Sequence, residues 1–285
     1  MKISTETGSF RLYSEDNRKI LRLLKDSGFT AYDFSMFKGE LKDRLIDSDD
    51  YALRAKELRE YADGIGLDCN QTHAPFPTAV KGDDAYNEWI FPQIVRAIEV
   101  SGILGAKVCV VHPCNDYTAE ENAALYRRFE PYARKARVKI GLENMWNWDR
   151  QAGHASPAAC SSHGDFLAHL SLLDKDVFVA CLDIGHAEMK GLQTSAVEMI
   201  ETLKDNLQAL HIHDNDRLND NHELPYSRAV EFAPILEALK KIGYRGDVTL
   251  ESSSFMVRYP LELYPQAARF MAEVAASLKN RLESD

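Results

Sequence analysis

Five apolar segments of this chain each end on a residue that can bind a metal ion. They have the length and the β-branched content of strands, and their last residues are His112, Glu143, Asp183, His211 and Glu251. Parallel strands in a barrel direct their C-terminal ends to one rim, where barrel enzymes carry their chemistry. The pattern therefore predicts a barrel of parallel strands whose C-terminal rim converges on a metal ion.

The rest of the chain alternates strand and helix patterns. Predicted strands cover residues 2–5, 31–34, 67–73, 107–112, 138–143, 177–183, 207–211 and 247–251. Predicted helices cover residues 15–27, 51–65, 84–104, 119–136, 164–173, 195–206, 230–242 and 264–282. Eight strand–helix pairs in 285 residues suit a (β/α)₈ barrel. We therefore predict an α/β fold, a (β/α)₈ TIM barrel, in which residues 1–285 form a single domain.

Glycine follows four of the predicted helices, at Gly28, Gly66, Gly105 and Gly243. We expect these glycines to end the helices in the left-handed conformation. An open doubly wound sheet is the alternative, but it needs a glycine-rich phosphate loop after the first strand, and residues 5–16 (TETGSFRLYSED) do not supply one. Residues 147–164 have weak helix patterns and are predicted to form mostly a long loop over the site.

The charge and composition restrict the partners. A net charge of −10 and an isoelectric point near 5.4 argue against a nucleic-acid or anionic membrane surface. No apolar stretch is long enough to span a membrane, and the first residues lack a signal-peptide apolar region. Five cysteines without framework spacing indicate a reducing compartment. We therefore predict a cytoplasmic protein that does not bind nucleic acid or membranes.

Nine imidazole and carboxylate residues follow the predicted strand ends. They are His73, His112, Glu143, Asp183, His186, His211, Asp220, His222 and Glu251. A single buried acid more often caps a helix or pairs with an arginine, and a single histidine is more often structural. Three acids near one barrel axis, however, would be very costly to bury without a cation. The set therefore predicts a divalent metal, and its mixed nitrogen and oxygen donors suit Mn, Co, Mg, Fe or Zn.

The segment LHIHD offers two histidines. Side chains alternate along a strand, so His211 and His213 should point the same way and Asp214 the opposite way. Because His211 ends the apolar run, it is predicted to be the metal ligand. His213 is predicted to lie behind the ligands or at the rim.

The motifs THAP, VVHP, LEN, LDIGH, LHIHD, DNH and TLE together resemble the xylose-isomerase-like barrel superfamily. That superfamily includes ketose 3-epimerases, inosose dehydratases and endonuclease IV, and the resemblance covers residues 67–251. LDIGH at residues 182–186 is the most specific of the motifs. The resemblance implies a metal-dependent isomerase or epimerase of a sugar or sugar phosphate. It is also compatible with a homo-oligomer, since members are commonly dimers or tetramers.

The ketose 3-epimerase pattern implies one metal held by Glu143, Asp183, His211 and Glu251. It gives Glu143 and Glu251 a second role as the paired catalytic acid and base on opposite faces of the substrate. One removes the proton next to a carbonyl and the other returns a proton, through an enediolate that the metal stabilises. His186 and Arg217 would contact substrate oxygens. Trp146 and Trp148 either stack on a sugar face or pack the loop.

The endonuclease IV pattern implies three zinc ions instead of one, and all nine of its ligand positions are filled here. Under this pattern the remaining residues of the larger set, His73, His112, His186, Asp220 and His222, would be additional metal or substrate ligands. A metal-dependent lyase or dehydratase and a zinc phosphodiesterase stay open as alternatives. The acidic charge fits the phosphodiesterase poorly, because DNA binding needs lysine and arginine contacts to phosphate. Metal identity, metal number and the sugar stay open.

Overall fold

The computed structural model describes residues 1–37 and 44–284. Eight parallel strands form its centre. They are β1 (Ile3–Thr5), β2 (Ala31–Ser35), β3 (Asp68–His73), β4 (Val108–Val110), β5 (Lys139–Glu143), β6 (Phe178–Asp183), β7 (Leu207–His211) and β8 (Val248–Leu250). Strands β2 to β7 form one parallel sheet in chain order, and β1 pairs in parallel with β8. The order of the strands in space thus follows their order in the chain.

Two isolated parallel bridges close the sheet into a barrel. One joins Glu6 to Asp33 beside β1 and β2, and the other joins Ile212 to Leu250 beside β7 and β8. At these junctions the amide of Thr7 donates to the carbonyl of Asp33 (2.9 Å), and that of Ile212 donates to Thr249 (2.9 Å). The predicted TIM barrel is therefore confirmed.

Seven helices connect the strands, and an eighth follows the last strand. They are α1 (Asn17–Ser27), α2 (Tyr51–Gly64), α3 (Asp84–Leu104), α4 (Ala119–Ala136), α5 (His163–Ser171), α6 (Ala196–Leu203), α7 (Phe232–Lys241) and α8 (Tyr264–Glu283). Short helices Ile184–Ala187 and Ser253–Met256 follow β6 and β8. All four glycines predicted to end helices have positive φ angles, from 67° to 106°. These are the left-handed conformations that glycine adopts without strain.

Helix α1 shows how local sequence produces the outer layer. Asp16 caps its first turn by accepting a hydrogen bond from the amide of Arg18 (2.9 Å). Ile20, Leu21 and Leu24 are fully buried on the face that packs against the barrel. Because only one face of the helix is apolar, the helix packs on the outside of the barrel. The C-terminal ends of the strands are therefore left uncovered and can form a site.

The structure differs from the sequence prediction in two places near that rim. Strand β4 ends at Val110, so His112 lies two residues beyond the strand. The predicted loop at residues 147–164 contains an antiparallel hairpin of Asn147–Asp149 and His154–Ser156, and α5 already begins at His163. Within residues 1–37 and 44–284, every helix falls short of the combination of length and apolar character needed to cross a membrane.

Candidate functional site

A cavity of about 430 Å³ opens at the C-terminal ends of the strands. Seven of the nine predicted ligands line it: His73, His112, Glu143, His186, Asp220, His222 and Glu251. The other two, Asp183 and His211, are buried against these residues. Another cavity, of about 340 Å³, opens beside Lys107, Lys204 and Arg245 and is lined by none of the nine. The chemistry predicted from the sequence therefore belongs to the cavity at the C-terminal rim.

Four of the predicted ligands form what we call the central group: Glu143, Asp183, His211 and Glu251. One donor atom from each lies within 4.8 Å of the others. Nδ1 of His211 is 3.3 Å from Oε1 of Glu143 and 3.2 Å from Oε2 of Glu251. Three of these residues end strands β5, β6 and β7, and Glu251 directly follows β8. The barrel thus brings the predicted four-residue set together.

His73, His112 and Glu143 form a second set, the histidine-pair group. The Nε2 atoms of His73 and His112 are 2.9 Å apart. Oε2 of Glu143 lies 3.1 Å from Nε2 of His112 and 3.6 Å from Nε2 of His73. Glu143 therefore belongs to both sets and lies between them.

His186, His213, Asp220 and His222 form a third set, the rim group. The Oδ2 atom of Asp220 is 3.2 Å from Nε2 of His186 and 3.1 Å from Nε2 of His222. His213 is completely buried, and its Nε2 lies 3.0 Å from Asp183 and 3.4 Å from Asp220. The structure therefore places His213 among the candidate ligands at the rim, whereas the sequence predicted a position behind the ligands or at the rim. The alternation along LHIHD had already placed it on the same side as His211.

The loop after β7 holds Asp220 and His222 over the cavity. Backbone hydrogen bonds between Asp214 and Glu223 (2.8 and 2.9 Å) close its base. Arg217 and His222 have positive φ angles of 64° and 46°, which are unfavourable for residues other than glycine. Such strained positions persist where the surrounding contacts determine them, and they often occur at functional sites.

Three of the candidate histidines are oriented by carbonyl groups. The Nδ1 atoms of His73, His186 and His222 donate to the carbonyls of Ala74, Asn144 and Glu251 at 2.8 to 2.9 Å. Each Nε2 is then the ring nitrogen that is left to face the neighbouring acids and to bind an ion once its proton is displaced. Metal-binding histidines are commonly fixed in this way through the ring nitrogen that does not bind the ion.

Several buried polar atoms in these groups have no hydrogen-bond partner within the described part of the chain. They are Oε2 of Glu143, Oδ2 of Asp183, both ring nitrogens of His211, Nε2 of His213 and Oδ1 of Asp220. Leaving such atoms unpaired costs about 1 to 3 kcal/mol each. A divalent cation would satisfy several of them at once, and carboxylate with imidazole is a donor set that such cations accept. The residues present therefore fit a divalent metal.

The two carboxylates predicted to be catalytic have pKa values shifted in opposite directions. Burial alone would raise the pKa of Glu143, but the imidazoles of His211 and His112 hold it well below its usual value. Burial raises the pKa of Glu251 to about 8, although His211 and His222 oppose the shift. Two neighbouring acids with separated pKa values are suited to opposite roles in proton transfer.

The predicted substrate-binding residues are in different positions. His186 and Trp146 line the cavity, with their ring centroids 6.4 Å apart. Trp148 lies in the hairpin, is 44% exposed and packs edge-on against Trp146 rather than lining the cavity. Arg217 also lies outside the lining, and its guanidinium is 3.3 Å from the carboxylate of Glu188. The structure thus brings two of the four to the cavity.

Two further acids lie beside the site, and neither follows the pattern of strand ends that indicated the other ligands. Glu6 lines the cavity, and Asp33 lies below His211, with Oδ2 at 3.5 Å from Nε2. Both residues are buried.

The chain matches the family described as xylose isomerase-like TIM barrel over residues 21–274. An uncharacterised protein of Methanocaldococcus jannaschii is 29% identical over 193 residues, which cover 64% of this chain and 64% of that protein, slightly under two thirds of its length. Among solved structures, a D-tagatose 3-epimerase-like protein has a TM-score of 0.74 at 22% identity, covering 98% of this chain and 99% of its own. The IolI protein with a bound zinc atom has a TM-score of 0.73 at 19% identity, covering 99% and 98%. These structures share the fold, and the family match leads to one conclusion: the chain belongs to the xylose isomerase-like TIM barrel family.

Proposed function

We propose that the protein is a divalent-metal-dependent isomerase or epimerase of a sugar or sugar phosphate. The observation that supports this most directly is the central group, in which Glu143 and Glu251 face one cavity with pKa values shifted in opposite directions. A D-tagatose 3-epimerase-like protein with the same fold adds support.

The central group would hold the metal through Glu143, Asp183, His211 and Glu251. When bound, a divalent ion supplies a Lewis acid that polarises a carbonyl oxygen. Glu143 and Glu251 stand at the ends of strands three places apart around the barrel, so they can reach a ligand from two sides. One carboxylate removes the proton beside the carbonyl, which gives an enediolate, and the other returns a proton. Return to the opposite face gives epimerisation, whereas return to the neighbouring carbon gives an aldose–ketose exchange.

Metal content and carbon–hydrogen exchange test the proposal together. Protein purified without added metal would be analysed for its elements, then incubated in D₂O with D-tagatose, D-psicose or D-fructose while deuterium incorporation is followed by NMR. We expect bound metal and deuterium beside the carbonyl, and we expect Glu143→Gln to lose both. Glu130→Gln is the control, because Glu130 lies on α4 and pairs with Arg134 away from the cavity. A protein that binds no divalent metal under any loading condition would refute the proposal.

A second candidate is hydrolysis of a phosphodiester, which the adjacent histidine-pair and rim groups favour. Together with the central group and a further set of His73, His211 and Glu251, they give four overlapping sets of candidate ligands around one cavity, so donors for more than one ion are available. The net charge of −10 opposes it, since nucleic-acid binding relies on cationic contacts to phosphate. Two or three tightly held zinc ions per chain, together with cleavage of DNA at an abasic site, would transfer the assignment to this reaction.

A further inference from the structure

Glu6 is an acid of the cavity that belongs to none of the three ligand groups. It directly follows β1, where its amide donates to the carbonyl of Leu250 (3.2 Å) and a parallel bridge joins it to Asp33. The residue is 4% exposed and lines the cavity beside Gly8 and Ser253. Its backbone is therefore held between β2 and β8, and its side chain belongs to the cavity wall.

Hydroxyl groups alone hold the carboxylate of Glu6 within the described residues. Ser9 donates to Oε1 (2.6 Å) and Ser35 to Oε2 (3.4 Å). Among residues 1–37 and 44–284 its charge interacts with the guanidinium of Arg11, which lies beyond ion-pair distance. A buried carboxylate without a direct ion pair is unfavourable unless its hydrogen-bonding capacity is used. Oε2, with one long hydrogen bond, retains most of its capacity to accept another.

The absence of a side chain at Gly8 leaves space next to Oε2 of Glu6. A Cβ atom at Gly8 would lie 2.8 Å from Oε2 of Glu6 and 3.0 Å from Cζ of Phe37. Any larger residue would therefore occupy the space between the carboxylate and the aromatic ring. Glycine is the residue that lets a ligand approach in such a place.

The wall near Glu6 is aromatic. The rings of Phe37 and Phe76 are 5.3 Å apart, and Phe76 stacks on His112 at 4.8 Å. Aromatic faces pack well against the carbon–hydrogen face of a sugar. Where the chain is described, the lining includes neither lysine nor arginine. A hydroxyl group of a ligand can therefore donate a hydrogen bond to Glu6, whereas an anionic group would meet no lysine or arginine among the described lining residues.

We propose that Glu6 is a specificity-determining residue that accepts hydrogen bonds from the hydroxyl groups of an uncharged sugar and disfavours a phosphate ester at that end. The inference rests on the proposed isomerase function of the same cavity. Hydrogen bonds from a hydroxyl to a carboxylate are stronger than those between neutral groups, whereas a phosphate beside this carboxylate meets a like charge.

Calorimetric binding and deuterium exchange on the metal-loaded protein test the inference. The neutral probes are D-fructose, D-psicose and D-tagatose, and the charged probes are D-fructose 1-phosphate and D-fructose 6-phosphate. We expect at least one of the phosphates to bind roughly tenfold or more weakly than the best neutral probe. Glu6→Gln should weaken binding of the neutral sugar roughly 10- to 100-fold. In Glu6→Gln the weaker binding should appear mainly as a higher KM for the neutral sugar, with the metal content unchanged. Glu6→Asp should bind the sugar more tightly than Glu6→Gln does, because it keeps the carboxylate.

Glu15→Gln is the matched control, because it removes the same charge from an exposed position of the same β1–α1 connection. Sugar binding that depends on Glu6 but occurs without deuterium exchange would leave the inference standing and refute the isomerase function. Unchanged KM in a folded Glu6→Gln variant would overturn the inference and leave that function standing. Equal or tighter binding of both phosphates to the wild-type protein would also overturn it, as would failure of all three neutral sugars to bind.

Discussion

The carboxylate of Asp33 lies 3.5 Å from Nε2 of His211, while the Nδ1 atom of the same ring faces Glu143 and Glu251. Asp33 is buried on β2, and its Oδ2 accepts a hydrogen bond from Gln71 (2.9 Å). Its contact with Nε2 of His211 is electrostatic rather than a hydrogen bond, and such a carboxylate favours a proton on Nε2 and leaves the Nδ1 lone pair for a metal. Asp33 therefore orients His211 from outside the central group.

Asp33→Asn should lower the affinity of the central group for a divalent metal about 10- to 100-fold, the usual effect of removing such a carboxylate. The amide keeps the shape of the side chain, so the barrel should remain folded. Competition titration with a chelator measures the affinity. Asp68→Asn, at the exposed start of β3, is the control and should leave the affinity as it is. Equal affinities in the two variants would contradict the role of Asp33.

Gly185→Ala should disturb the rim group selectively. Gly185 lies in the motif LDIGH, and a Cβ atom there would overlap the imidazole of His213. Because such overpacking costs about 1 to 3 kcal/mol, His213 should move and the melting temperature should fall. Elemental analysis should show less metal than in the wild-type protein if the rim group holds an ion. Gly164→Ala, which has open space around the added atom, is the control. An unchanged metal-to-protein ratio in a folded Gly185→Ala variant would show that His213 holds no ion.

Metal binding at the rim group should tighten as the pH rises. Burial alone would lower the pKa of His186, but the carboxylates of Asp183 and Asp220 raise it to about 10. A metal ion must displace that proton, so affinity should increase up to about pH 10, by about tenfold per pH unit for each proton released. Calorimetry at pH 7 and pH 8 in buffers of different ionisation enthalpy measures the proton release. A pH-independent affinity would argue against His186 as a ligand.

The buried cysteines should be unreactive in the native protein and should weaken it at high pH. Burial raises the pKa of Cys109 to about 11 and that of Cys181 to about 12, so both stay neutral near pH 8. In the unfolded chain they ionise near the usual value of 9.0. Above pH 9 the unfolded state then binds fewer protons than the folded state. The free energy of unfolding should therefore decrease between pH 9 and about pH 11, by roughly 1.4 kcal/mol per pH unit for each thiol.

Thiol labelling and denaturant unfolding measure these effects. Labelling of the native protein should require unfolding, and Cys109→Ala should reduce the pH slope of stability above pH 9. Rapid labelling of Cys109 at pH 8 in the folded protein would contradict its burial.

The regular strand ends predicted the barrel and the convergence of acids and histidines on its rim, and the family resemblance selected the four residues of the central group from them. In a parallel barrel, a residue at the end of an apolar strand must face the rim, and Glu143, Asp183 and His211 are the last residues of β5, β6 and β7. Strand lengths were less predictable. β4 ends at Val110, although residues 111 and 112 continue its pattern.

Glu6 and Asp33 could not be found by that rule. Glu6 follows β1, whose Ser4 and Thr5 are polar because they form hydrogen bonds inside the barrel, with Ser4 bonded to Thr249 at 2.9 Å. Asp33 lies in the middle of β2 rather than at its end. The role of such residues depends on neighbours from distant parts of the chain, which spacing along one strand does not reveal.

The barrel is closed by two isolated bridges, and candidate metal ligands lie beside one of them. β1 and β8 pair with each other but join β2 and β7 through single bridges. Glu251 follows β8 and His211 ends β7, so an ion that binds both residues spans one of these sparsely bonded junctions. Metal binding at the central group should therefore oppose local opening of the barrel at this junction. Removal of the ion should accelerate amide hydrogen exchange in the first and last strands more than in the other strands. The candidate metal ligands would thus also hold the last strand, β8, against β7.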